Sequence, residues 1–96
     1  MSKIRRLVLD VLKPHQPNAL DFAASLADLG PDYKVKLTVV EVDEKTESTI
    51  LIIEGLDIQF DAISDVIGQM GASMHSIDEV EVEGSEPNLP LASDES

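Results

Sequence analysis

From Ile4 to Leu12 the chain reads IRRLVLDVL, with Leu7, Leu9 and Val11 on one side and Arg6, Val8, Asp10 and Leu12 on the other. That two-residue period predicts a strand, and its apolar content a central one. Pro14 and Pro17 of the following KPHQPN forbid regular structure, and Asn18 stands where an N-cap accepts free backbone N–H groups. A helix then carries Leu20, Ala23, Ala24, Leu26, Ala27 and Leu29 until Gly30-Pro31 stops it. A second strand, Tyr33 to Val42, alternates Val35, Leu37 and Val39 against Lys34, Lys36, Thr38 and Val40. The charged stretch Asp43 to Glu47 reads as a hairpin loop into a third strand, Ser48 to Glu54, which Gly55 ends. Asp57 is the expected cap of a second helix, in which Ile58, Ala62, Ile63, Val66, Ile67 and Met70 recur at helical spacing. Gly71 closes that helix, and Ser73 to Glu83 supplies a fourth strand.

The order is βαββαβ, two βαβ halves joined by a hairpin. Right-handed crossovers place both helices on one face of a four-stranded antiparallel sheet, so the expected class is α+β with a ferredoxin-like arrangement. Residues 1–83 form that domain. From Gly84 to Ser96 the sequence GSEPNLPLASDES is rich in proline, serine and acid, and disorder is expected there.

Composition narrows the function. The 96 residues include two Phe, one Tyr, no Trp and no Cys, which leaves an aliphatic core and excludes disulfides, thiolate nucleophiles and zinc-thiolate sites. The formal net charge of −12 repels nucleic acid and anionic lipid. So much acid with little lysine is a halophile-type composition, since its self-repulsion is screened once the Debye length falls to about 3 Å. No apolar run reaches the roughly 18 residues of a membrane span, and the start MSKIRRLVLD carries no signal-peptide pattern, so a cytoplasmic location is expected. RNA-binding domains of this topology stack bases on aromatics of strands one and three, and neither IRRLVLDVL nor STILIIE contains one.

The run VLDVLKPH (8–15), the charged EVDEKTE (41–47) and the late block GASMHSIDEV (71–80), taken with their spacing, resemble an archaeal family of domains of unknown function, number 211 in its series. The resemblance covers about residues 3–83. It implies a ferredoxin-like fold, an archaeal source, homo-oligomeric assembly and contacts with divalent metal, and it implies no reaction. The extra surface acid and acidic tail suit a haloarchaeal member.

Among individual residues, Asp10 interrupts an apolar central strand and points to the open sheet face. Alternation sets it beside Asp78 or Glu79, according to register, with Glu41 at the far edge. Three such carboxylates are a candidate site for Ca²⁺ or Mg²⁺; the alternative is a polar face hydrogen-bonded to Arg6, Thr38 or a neighbouring subunit. His15 and His75 fall near opposite ends of strands, which argues against a paired role. No oxyanion hole, nucleophile elbow or phosphate-cradling glycine loop accompanies the acids or serines, so an enzyme is not expected. Apolar residues on both faces of ILII (50–53) and around Val8 predict a second copy of the chain as partner, through the sheet or edge strand two. The competing reading is a small-molecule-sensing module whose unknown ligand meets the loop after strand one, with Lys13, His15 and His75 as contacts.

Overall fold

The first strand, β1, spans Ser2–Pro14, longer at both ends than expected, in a computed structural model that describes residues 2–84. The expected order then follows: α1 Ala19–Ala27, β2 Lys34–Val42, β3 Thr46–Glu54, α2 Phe60–Gln69 and β4 Ser73–Gly84. Pro14 closes β1 opposite Thr46 without breaking the ladder, because proline lacks a donor and the last position of a strand need not supply one. The acidic segment expected to be disordered lies outside the described residues except for Gly84, which ends β4.

The strands form one sheet in the order β2-β3-β1-β4, each neighbour antiparallel. This is the ferredoxin-like α+β fold. Leu7, Leu9 and Val11 of β1 and Leu51 and Ile53 of β3 share one buried cluster with Phe22 and Leu26 of α1 and Ile63 and Ile67 of α2. Each helical pair is four residues apart and so lies on one side of its helix, which sets both helices on the same sheet face. No helix among the described residues is long and apolar enough to cross a membrane.

The helix starts differ from one another. Asn18 caps α1 as expected, its side chain accepting from the Asp21 amide at 2.8 Å. Asp57 does not cap α2. Ile58 is buried and its N–H donates to the Ile4 carbonyl at 2.9 Å, which ties the chain to β1 before it can turn. The helix therefore begins two residues later, and the Gln59 amide donates to the Tyr33 hydroxyl at 2.7 Å. At its far end Gly71 adopts a φ of +80°, a left-handed position that glycine takes without the Cβ penalty.

The ladders are not uniform. Where β1 meets β4 the register slips at three places, which leaves Arg5 of β1 and His75 and Asp78 of β4 as extra residues; Val40 is the extra residue where β2 meets β3. Bulges of this kind twist a strand and re-aim the side chains beside them.

Candidate functional site

The face of the sheet opposite the helices carries the polar residues of β1. Arg6 reaches both ways across it, its Nη1 donating to Glu54 Oε2 of β3 at 2.7 Å and its Nε to Glu79 Oε2 of β4 at 2.8 Å. Lys34 of β2 stands in register with Glu54, and Glu81 of β4 with Arg6. One row of the sheet thus alternates in sign, positive on β2, negative on β3, positive on β1 and negative on β4.

Asp10 lies further along the same face, paired in register with Ile50 on one side and Ser76 on the other. The register sets Ser76 opposite it, between the bulges at His75 and Asp78, where Asp78 or Glu79 is expected from the sequence. The candidate metal carboxylates are consequently spread out. Asp78 accepts from the Ser76 hydroxyl at 2.7 Å, Glu79 is held by Arg6, and Glu41 sits on β2 opposite Ser48, two strands from β1. No group of three or more potential metal-ligating side chains converges among the described residues. Asp10 instead has His75 as neighbour, Nδ1 to Oδ2 at 3.8 Å. The two line a shallow hollow of about 300 Å³ with Leu12, Val40, Ser48 and Ile50, so the bulge residues of both sheet edges, Val40 and His75, form its walls.

At the end of β1 the loop residues are engaged with one another. Lys13 continues the buried phase of Leu7, Leu9 and Val11 and is fully buried. Its ammonium donates to the Pro14 carbonyl at 2.8 Å and to Glu47 Oε1 at 3.0 Å, and it lies 5.8 Å from the centroid of the Phe22 ring. Glu47, at the start of β3, uses its other oxygen for His15 Nδ1 at 3.0 Å, and His15 Nε2 is 3.0 Å from the carbonyls of both Asp43 and Glu44. Both ring nitrogens thus face oxygens that can only accept, and only the imidazolium donates on both sides. Lys13 and His15 lock the β2–β3 hairpin to the end of β1.

This lock sets a pH dependence. The Glu47 carboxylate, followed by the Glu44 carbonyl, holds the His15 pKa above the ordinary imidazole value. A raised folded-state pKa gives stabilisation that is complete below the unfolded value and lost as pH rises through the folded one. Glu47, held down by His15 and then Lys13, adds stabilisation present above the ordinary carboxylate value and lost as pH falls through its lowered pKa. His15→Gln is therefore expected to cost most between the two folded-state titrations. Its stability difference from wild type narrows on the alkaline side as His15 loses its proton and on the acid side as Glu47 gains one. Urea midpoints across pH, with the His15 ring titration followed by NMR, check this; a ring midpoint at or below that of free histidine contradicts it.

The sheet edges are the remaining exposed feature. β4 is an edge strand of 12 residues, and its helix-side residues Ile77, Val80 and Val82 are each about half exposed, at 51%, 52% and 49%. They stand in register with Leu9, Leu7 and Ile4 of β1, so this stripe is the uncovered margin of the core. At the other edge, β2 exposes Val40 and Val42 together with Lys34 and Lys36.

Comparison with known proteins places the chain among relatives. The model of the family of domains of unknown function numbered 211, described as "Uncharacterized ArCR", matches residues 5–86. The chain belongs to this family. An uncharacterised protein of Methanocaldococcus jannaschii is 46% identical over 80 residues, covering 83% of this chain and 82% of the relative. The residues matched by the family model, 5–86, include Asp10, Lys13, His15, Glu47 and His75. The family carries no assigned activity.

Proposed function

We propose that this domain is a non-enzymatic assembly module that associates with further copies of itself through the edges of its sheet. The observation that carries this reading is β4, a 12-residue edge strand whose outer ladder is unpaired among the described residues and whose half-exposed apolar stripe is continuous with the core. An edge of this length and character is a template for strand addition unless it is blocked. Here the charges that would block it, Glu79, Glu81 and Glu83, all lie on one strand and carry one sign.

Hydrogen exchange tests the reading. Amides of β4 that point away from β1 are expected to be protected at high protein concentration and to exchange freely on dilution. Equal, fast exchange of those amides at every concentration overturns it.

The hollow at Asp10 and His75 favours a second reading, in which the assembled module binds a small ligand there instead of at the loop after β1. One carboxylate and one imidazole beside Leu12 and Ile50 suit a compact organic cation with an apolar body. A calcium ion, which takes six to eight oxygen ligands, finds a poorer donor set here.

A further inference from the structure

The two edges of the sheet, β2 and β4, are complementary to each other, row by row. On the helix side the register runs Val35–Ile53–Leu7–Val80 and Leu37–Leu51–Leu9–Ile77 across β2, β3, β1 and β4. On the open side it runs Lys34–Glu54–Arg6–Glu81 and Lys36–Ile52–Val8–Glu79. Each row therefore begins at β2 and ends at β4 with residues suited to one another, apolar with apolar on the helix side and lysine with glutamate on the open side. Direction agrees as well. β2 runs parallel to β1 and β4 antiparallel to it, so a second copy with its helices on the same side presents β2 antiparallel to β4.

Resting on the assembly reading above, we propose that the copies join head to tail, β4 of one against β2 of the next, with the rows kept in register. Val80 then meets Val35 of the neighbour and Ile77 meets Leu37, which covers the exposed margin of the core. Glu81 meets Lys34 and Glu79 meets Lys36, and the alternation of sign begun inside one sheet continues into the next. The symmetric alternative, β4 against β4, sets the acids of one copy against the same acids of the other, and like charges across a strand pair destabilise it. Head-to-tail contacts make a ring where the rotation between copies closes and a fibre where it does not.

Two charge-reversed variants test this, Lys34→Glu/Lys36→Glu on the β2 edge and Glu79→Lys/Glu81→Lys on the β4 edge. Each alone is expected to weaken association by roughly ten-fold, the scale of two reversed cross-strand ion pairs. The second variant lowers the net negative charge, so general repulsion alone would strengthen its association, and its loss of mass reports the edge itself. An equimolar mixture is expected to regain the wild-type association, with the variants alternating in native mass spectra. Circular dichroism checks that each variant folds. Because Glu79 also holds Arg6, the pair Lys34→Glu and Glu81→Lys repeats the test with that contact intact. Wild-type mass in the β2-edge variant, or a mixture that stays dissociated, overturns the head-to-tail arrangement and leaves self-association standing. A wild-type chain that is monomeric throughout overturns the assembly reading on which it rests.

Discussion

Glu47→Gln is expected to destabilise the domain more than Lys13→Met, although both remove the same ion pair. The Lys13 side chain is fully buried, and its Nζ has Glu47 as its only carboxylate partner among the described residues. Gln leaves the ammonium buried without a countercharge and also takes away the anion that holds His15, and a buried charge without its partner is the costlier of the two states. Met fills the same volume and leaves Glu47 with His15 and partial access to water. Lys13→Ala, which opens a hole against Phe22, is expected to cost roughly 2–5 kcal/mol, as for truncation of a buried methionine. That is a large share of the 5–15 kcal/mol typical of a small domain. Urea unfolding of the three variants gives the order directly. Glu47→Gln at wild-type stability contradicts the lock as a stabilising element.

The elements of this fold are legible in the sequence because two periods, two residues for strands and 3.6 for helices, change over at Pro14, Gly30-Pro31, Gly55 and Gly71. The lock was legible in part. Lys13 continues the phase of Leu7, Leu9 and Val11, and Glu47 that of Thr49, Leu51 and Ile53, so opposite charges fall on the buried side of what prove to be adjacent strands. Lysine is so rarely fully buried that the phase alone does not suggest it. The bulges at Val40, His75 and Asp78 carry no glycine or proline signal. Each shifts what lies opposite by one residue, but the carboxylates stay apart because of the overall register, in which Asp10 meets Ser76 and Glu79 meets Val8. The start of α2 escaped for a similar reason, since the backbone bond from Ile58 to Ile4 is a tertiary contact that outranks a local cap.

Association is expected to tighten as KCl rises. Every copy carries a formal charge of −12, and at about 0.1 M salt, where the Debye length is about 10 Å, this repulsion reaches across a whole interface. At about 1 M the length is about 3 Å, and the repulsion is largely screened. The pairs of lysine and glutamate at the edge act within hydrogen-bonding distance, lose less, and are worth little each on an exposed surface. The apolar stripe of Ile77, Val80 and Val82 carries no charge to be screened and keeps its drive toward burial as KCl rises. A chain held together chiefly by the edge ion pairs would show the opposite trend.

The most direct test is the mass of the wild-type chain in solution, by light scattering coupled to size exclusion, in dilute buffer and in multi-molar KCl. A mass several times that of the 10.4 kDa chain, growing more stable toward high salt, is the predicted result. A mass of 10.4 kDa at every salt and protein concentration contradicts assembly through the sheet edges.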